Sequence, residues 1–194
     1  MIAAQSPFPQ LTPDEYLAWE AQQPEKHEYI DGQIYAMGGG TVSRGRIAIR
    51  LTSLVDGHLS GTKCIPGNSD IKISIPGTGN YTYSDASVTC DDRDQTATQF
   101  FTHPCLIVEV LSDSTEAYDR GGKFRLYRLN PVLQEYLLVS STRLEIDLYR
   151  KNDAGEWVIV NYQPGDTVAL RSINLSFPIE QVYEGLTLTS PQQS

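Results

Sequence analysis

The stretch CLIVEVL, Cys105 to Leu111, places a glutamate, Glu109, in the middle of an apolar strand. The residues that follow, TEAYDRGGKFRLYRL, are predicted to form a helix, and EYLLVSS is predicted to form the next strand. A helix between two strands lets the second strand lie parallel to the first, with a right-handed crossover. Such a central strand is covered on both faces, so a nearly continuous apolar sequence is expected. This segment therefore predicts a mixed α/β domain.

Local patterns predict further helices and strands along the chain. TPDEYLAWEAQQ is typical of a capping box, with Thr12 as the N-cap, Pro13 at the first helical position and Glu15 three residues after Thr12. HEYIDGQIYAM alternates around Asp31 and Gly32, which indicates a two-residue β-hairpin. Periodicity predicts a second helix over SRGRIAIRLTSLVDGHL, strands over SDIKISI, YTYSDASVTCD, EIDLYRK, EWVIVNYQ and TVAL, and a short closing helix over FPIEQVYEGL.

Size and composition favour an ordinary globular protein. The 194 residues are 40% hydrophobic and 20% charged, so we expect one domain over residues 1–194, with its core at about 10–185. The sequence offers no apolar run of the roughly 20 residues that a membrane helix needs, and its N-terminus lacks a secretory signal pattern. Cys64, Cys90 and Cys105 form no CxxC pair, which favours reduced thiols in a cytoplasmic protein over a zinc ribbon.

The net charge of −9 disfavours general binding to nucleic acid, because such binding depends on neutralising phosphates. The local potential in a cleft can still favour it. Two groups of basic residues could either contact phosphates or form solvated helix faces. These groups are Arg44, Arg46 and Arg50, and Arg120, Lys123, Arg125 and Arg128.

Glu109 requires an explanation, because burying an unpaired carboxylate costs several kcal/mol. It could form an ion pair with a buried cation, lie at a hydrated strand end, or bind a metal. Asp85, predicted within the strand YTYSDASV on the face of Tyr83 and Ser87, is a second acid of this kind. Two carboxylates on adjacent strands would favour Mg²⁺ or Mn²⁺ between them.

Two further residues are candidates for the same site. Lys123 lies on the predicted helix after the Glu109 strand and could reach back to the strand ends. It could equally pair with Asp119, four residues earlier, on the helix surface. Glu28, in the hairpin, is either a site carboxylate or an unremarkable exposed glutamate.

Other site classes find no support in the residue spacing. The three histidines show no HxxxH or HExxH pattern, which makes a zinc hydrolase an unfavoured reading. The sequence also lacks the GxSxG pattern of a serine hydrolase, and its GGG is not followed by the lysine of a P-loop.

The segments HEYIDGQIYAMGGG, YSDASVTCDD and CLIVEVLSDSTEAYDRGGKFRLYRLNPVLQEYLLVS resemble the bacterial restriction endonuclease (Uma-type) family. This family belongs to the restriction-endonuclease-like PD-(D/E)XK superfamily, and the resemblance covers about residues 10–185. It implies an α/β fold in which helices flank a mixed central sheet, with an extra N-terminal hairpin and extra C-terminal strands.

The resemblance also implies functional residues. Asp85 and Glu109 match the ligands of Mg²⁺ (or Mn²⁺), and Glu28 matches an acid that completes the metal shell. The proline of the superfamily motif is replaced by Ser84, which contributes no ligand.

A lysine normally follows the superfamily glutamate by two residues, but this chain has Leu111 there. The resemblance assigns the lysine's role to Lys123, with Asp119 orienting it. A histidine of the family near the start of the second helix is replaced by Arg44.

These features predict a cytoplasmic, metal-dependent endonuclease that hydrolyses DNA, with Asp85, Glu109, Lys123 and Glu28 as its catalytic residues. Arg44, Arg46 and Arg120 are predicted to contact the DNA. The surplus C-terminal strands predict a homodimer. Two alternatives stay open: an inactive nuclease fold that serves nucleic-acid binding or oligomerisation, and a hydrolase of another phosphate ester.

Overall fold

The computed structural model describes residues 8–188. Residues 1–7 and 189–194 lie outside the described residues. They are the two ends of the domain predicted over residues 1–194. The helices are α1 (Pro13–Glu20), α2 (Val42–Leu59), α3 (Glu116–Tyr118), α4 (Phe124–Tyr127) and α5 (Glu180–Tyr183). The strands are β1 (His27–Ile30), β2 (Gln33–Ala36), β3 (Ile65–Asn68), β4 (Lys72–Ile75), β5 (Asn80–Tyr83), β6 (Ala86–Thr89), β7 (Phe100–Phe101), β8 (Pro104–Leu111), β9 (Glu135–Ser140), β10 (Ile146–Lys151), β11 (Trp157–Tyr162), β12 (Thr167–Leu170) and β13 (Leu175–Pro178).

A six-stranded mixed sheet forms the centre of the fold, in the order β11-β10-β9-β8-β6-β3. Only β8 and β9 are parallel in it, as predicted from the helix that connects them. Every residue of β8 is buried, because the sheet is covered on both faces. Val108 and Val110 pack on the side of α2, whereas Ile107 and Leu111 pack with α4. Since side chains alternate along a strand, Glu109 faces the same side as Ile107.

A second sheet, in the order β2-β1-β5-β4-β7, carries the N-terminal hairpin. Its core contains Tyr16 of α1 together with Tyr29, Ile34 and Tyr81. The capping box of α1 and the hairpin turn, where Asp31 has a positive φ, both confirm the sequence predictions. β12 and β13 form a separate two-stranded ribbon.

The predicted strand YTYSDASVTCD is wrong in one respect that matters for the site. The segment forms two strands in different sheets, β5 and β6, and Asp85 lies in the junction between them. Its backbone N–H donates to Val108 O at 3.1 Å, and its side chain accepts from Val110 N at 2.7 Å. A short polar side chain that competes for backbone hydrogen bonds favours such a break.

Helix boundaries also differ from the sequence predictions. The predicted closing helix over residues 177–186 is shorter, because Phe177 and Pro178 belong to β13. The helix after β8 is not uniformly α-helical, since a π-helical segment, Asp119–Lys123, joins α3 to α4. None of the helices in residues 8–188 combines the length and apolar composition that crossing a bilayer requires.

The prediction of three reduced thiols is wrong. Cys64 and Cys90 form a disulfide, and Cys105 is a buried free thiol. The cause is strand register: β3 and β6 are antiparallel with Ile65 opposite Thr89, so the next residues outward, 26 positions apart in the chain, face each other. The cysteine argument for a cytoplasmic location therefore no longer holds.

We expect one reactive thiol per chain when the protein is denatured without reductant, and three after reduction. Titration with a chromogenic disulfide reagent measures both values. Three thiols in the unreduced protein would contradict the Cys64–Cys90 pairing.

Candidate active site

A cavity of about 540 Å³ lies between the N-terminal hairpin, the glycine segment after it and the chain that follows β8. Its lining includes Glu28, Arg44, Asp119 and Lys123. Arg44 also lines a neighbouring cavity of about 650 Å³, together with Asp85. The structure thus brings residues from four distant parts of the sequence to one place.

Lys123 is the centre of this group. Its Nζ lies 3.0 Å from Glu109 Oε1 and 3.2 Å from Glu28 Oε1, and it donates to Tyr83 O at 2.7 Å. An ammonium group has three donors, so these three acceptors satisfy it. Lys123 is only 5% exposed. The alternative of a surface pair between Lys123 and Asp119 is therefore wrong.

Glu28 is held tightly beside Lys123. It is buried, which rules out the exposed hairpin glutamate considered from sequence. Its Oε1 accepts from Tyr83 N at 3.0 Å in addition to its contact with Lys123. Tyr83 thus uses its backbone N–H for Glu28 and its carbonyl for Lys123, and it fixes both charges relative to the end of β5.

Glu109 lies deepest in the site and is 1% exposed. The Tyr127 hydroxyl, four residues after Lys123, donates to its Oε1 at 3.2 Å. Burial raises the pKa of Glu109 to about 8, with Asp85 and Asp119 acting in the same direction and Lys123 opposing them. The ion pair with a buried cation, one alternative for Glu109, is thus present, and it coexists with the other acids of the site.

The neighbouring carboxylates raise the pKa of the Lys123 ammonium. Burial alone would lower the pKa of Lys123, but Glu109, Glu28 and Asp119 outweigh it and raise that pKa above its ordinary value. Lys123 therefore stays protonated at neutral pH and is a fixed positive charge.

Asp85 comes next to Glu109 through strand pairing, because Ala86 lies opposite Val108 in the β6–β8 ladder. Arg44 covers its carboxylate: Arg44 Nη2 donates to both Oδ1 and Oδ2 of Asp85 at 3.0 Å. The register thus places Asp85 opposite Glu109, with a guanidinium beside Asp85. The convergence of the two carboxylates on one metal ion stays a prediction.

Asp119 is a buried acid of the site, whereas the sequence indicated only a residue that orients Lys123. It is 3% exposed, and its Oδ2 finds no hydrogen-bond partner among residues 8–188. Burial raises its pKa, and the nearby charge of Lys123 opposes that effect. The π-helical segment places Asp119 and Lys123 at its two ends, and π-helical turns often occur at functional sites.

The donor set of the site fits a hard divalent cation. Mg²⁺ is commonly held by one or two carboxylates and keeps water in its other positions, and Asp85 and Glu109 are two such carboxylates. The buried Oδ2 of Asp119, which has no hydrogen-bond partner among residues 8–188, is a further oxygen of the site. Within the described part of the chain, no group of three or more acidic, histidine or cysteine side chains is placed so that it could hold a metal ion. An ion held by Asp85 and Glu109 would therefore take most of its ligands from water.

The other predicted DNA-contacting arginines are engaged elsewhere. Arg46 Nη1 donates to Gly185 O at 2.9 Å, and Arg120 Nε donates to Glu116 Oε1 at 2.8 Å. Arg120 also pairs with Asp147. Neither arginine lines the two cavities that Arg44 borders.

Sequence reasoning missed Tyr127. The tyrosine is fully buried and donates to Glu109, and burial raises its pKa well above the ordinary value. Its spacing of four residues from Lys123, which places both side chains on one helix face, was the available signal.

Replacement of Glu109 by glutamine provides a pH test of this geometry in metal-free protein. The folded pKa of Glu109 is about 8, against an ordinary value of 4.5, so the folded state binds the proton more tightly. The contribution of Glu109 to stability therefore falls as pH rises from about 4.5 to 8. We therefore expect the difference in unfolding free energy, Glu109→Gln minus wild type, to increase as the pH rises from about 4.5 to 8. Urea titrations in the presence of a chelator measure this difference.

The control for this measurement is Glu184→Gln, because the Glu184 side chain is 76% exposed. Its difference from wild type should not follow the same pH profile. A Glu109→Gln difference that is flat or decreases with pH would contradict the raised pKa.

Comparison with known proteins supplies independent information on the whole chain. A family model described as "Uma2: Putative restriction endonuclease" matches residues 13–180. Two proteins of Synechocystis sp. (strain ATCC 27184 / PCC 6803 / Kazusa) are similar along most of their lengths. "Uncharacterized protein slr1290" is 63% identical over 181 residues, which cover 93% of this chain and 95% of that protein. "Uncharacterized protein sll1609" is 32% identical over 151 residues, which cover 77% and 85%.

The fold is also known from a solved structure. The crystal structure of a putative nuclease belonging to DUF820 from Anabaena variabilis ATCC 29413 matches with a TM-score of 0.71. The match covers 89% of this chain and 97% of that chain at 19% sequence identity. At that identity the likeness establishes the shared fold.

Proposed function

Because the chain belongs to the Uma2 putative restriction endonuclease family, we propose that it is an endodeoxyribonuclease that hydrolyses DNA phosphodiester bonds with Mg²⁺ or Mn²⁺. One observation carries the proposal: buried Glu109 lies 3.0 Å from the ammonium of Lys123 and next to the strand that begins after Asp85. A buried acid, a second acid and a fixed cation are the parts that phosphodiester hydrolysis of this type needs.

Asp85 and Glu109 would hold the metal ion, and Asp119 lies close enough to act on both electrostatically. The bound ion supplies Lewis-acid polarisation of a phosphoryl oxygen. Lys123 contributes a permanent positive charge that stabilises negative charge developing on the phosphate. Glu28 and Tyr83 O hold this ammonium in place, and Tyr127 orients Glu109.

The position of Lys123 is consistent with a role in stabilising charge on the phosphate. Leu111, at the position of the superfamily lysine, is buried in the apolar core on the face of Glu109. Lys123 approaches the same carboxylate from the π-helical segment instead. The ammonium thus reaches Glu109 from a different part of the chain.

We expect purified protein to nick or cut DNA in the presence of Mg²⁺ or Mn²⁺. Asp85→Asn and Glu109→Gln should each lower the rate about 100-fold or more, because each removes charge where the cation is held. Agarose-gel assays on supercoiled plasmid measure this. Asp92→Asn, at an exposed acid paired with Lys63, is the matched control and should cut like wild type. Equal cutting by wild type and Glu109→Gln would refute the proposal.

A second candidate function is an inactive nuclease fold that binds nucleic acid or forms oligomers. The contact of Arg44 with both oxygens of Asp85 favours it, because a guanidinium already neutralises this acid. Calorimetry with Mn²⁺ separates the two functions. Binding that is lost in Asp85→Asn supports the nuclease, whereas no binding by wild type supports the inactive fold.

We also propose a homodimer formed through β11. β11 is the outer strand of the six-stranded sheet, and Ile159 on it is 65% exposed. The strand carries no charge or proline, the features with which monomeric proteins protect such edges. Antiparallel pairing of two copies along β11 would satisfy its outer backbone groups.

Light scattering at micromolar concentration should give the mass of a dimer for wild type and of a monomer for Ile159→Lys, since the lysine charge opposes edge pairing. Leu129→Lys, at a similarly exposed apolar residue outside β11, should stay dimeric. A monomeric wild type would contradict the proposed dimer.

A further inference from the structure

Arg44 occupies an unusual position for a site that would hold a cation. Its Nη2 donates to both carboxylate oxygens of Asp85 at 3.0 Å, and the two side chains are only 17% and 11% exposed. The backbone of Arg44 is fixed in the first turn of α2, where its N–H donates to the capping Thr41 Oγ1 at 3.2 Å. The guanidinium is therefore part of the folded site and not a solvated surface group.

The charges of the site explain why Arg44 lies there. The negative charges of Asp85, Glu109 and Asp119 act on the Arg44 guanidinium. Glu28 lines the same cavity as Arg44. Lys123 contacts Glu109 and Glu28, and Arg44 is the cation that contacts Asp85. A divalent cation at Asp85 would have to share the same carboxylate with this guanidinium, and two cations on one carboxylate repel each other.

The contact between Arg44 and Asp85 is also incomplete. An arginine normally binds a carboxylate with two parallel N–H groups, whereas here a single nitrogen reaches both oxygens. Arg44 Nε is buried and has no hydrogen-bond partner among residues 8–188. An unsatisfied buried donor costs free energy, so the contact between Arg44 and Asp85 is not an optimal one.

The surroundings leave room for such a movement. Arg44 lines both cavities of the site, so open space lies on two sides of it. Gly40 packs beside its side chain, and a Cβ at that position would lie 3.3 Å from Arg44 Cδ. Glycine at residue 40 therefore avoids a tight contact with the Arg44 side chain in its present position.

We propose that Arg44 is a built-in counter-ion of Asp85 that competes with a divalent cation for this carboxylate and so sets the metal affinity of the site. The inference rests on the proposed function, because it takes Asp85 as a metal-holding residue. In the free protein Arg44 neutralises Asp85. When a divalent cation binds, the guanidinium leaves the carboxylate.

The test is calorimetric titration with Mn²⁺ in the absence of DNA. Arg44→Gln should bind Mn²⁺ about tenfold more tightly than wild type, because a neutral side chain no longer opposes the ion. Arg44→Lys keeps the charge and should bind like wild type, which separates charge from side-chain bulk. The matched control is Arg50→Gln, which lies on the same helix as Arg44 and loses a partly exposed ion pair with Glu184. This variant should also bind Mn²⁺ like wild type.

Three outcomes would overturn the inference, and they differ in what they say of the proposed function. Equal affinity in wild type and Arg44→Gln, with loss of binding in Asp85→Asn, would leave the metal site intact and remove the competition. Weaker binding by Arg44→Gln would make Arg44 a supporting residue. No Mn²⁺ binding by any variant would overturn both the inference and the metal-dependent function.

Circular dichroism and thermal unfolding show whether Arg44→Gln is folded. If it is not, Arg44→Met carries the same comparison, since its side chain is uncharged, unbranched and a poor ligand for Mn²⁺. The rise in Mn²⁺ affinity should appear in that variant as well, and an unchanged affinity would overturn the inference.

Discussion

The ammonium group of Lys123 joins three parts of the chain that are distant in sequence. Glu28 comes from β1, the Tyr83 carbonyl from the end of β5 and Glu109 from β8, so the contact ties the two large sheets to the π-helical segment. Each partner needs the others, because removing one member of a buried ion pair leaves an uncompensated charge at a cost of about 3–5 kcal/mol. The geometry of the candidate active site and the junction of the sheets therefore depend on the same interaction.

This arrangement carries more negative than positive groups. Burial raises the pKa of Glu109 to about 8, and Asp119 keeps a buried oxygen that has no hydrogen-bond partner among residues 8–188. Neither feature favours the stability of the folded chain, and both suit a site whose chemistry requires an additional cation. Arg44 partly balances the excess at Asp85. Under the proposed function, stability and catalysis make opposite demands on the same few side chains.

Much of the local structure followed from short-range patterns. The capping box before α1 and the Asp31-Gly32 turn each depend on residues that are close in sequence, and both are present. The parallel pair β8–β9 was predictable from the helical segment that directly connects the two strands. The sequence predictions were wrong where the structure depends on pairing between strands that are not neighbours in the chain. The Asp85 segment divides between two sheets, and the register of β3 with β6 brings Cys64 to Cys90. Pairings of this kind depend on the whole fold and leave no local pattern.

The sequence by itself determined that Glu109 would need a partner, because a glutamate within an apolar strand must be paired, protonated or metal-bound. It also determined the helices and most of the strands through their periodicity. Only the tertiary structure decided how these residues divide among partners. Lys123 pairs with Glu109 and Glu28 instead of Asp119, and Asp85 pairs with Arg44, 41 residues earlier. The physical reason is that ion pairing depends on distance and burial, and both are set by how strands from separate parts of the chain assemble.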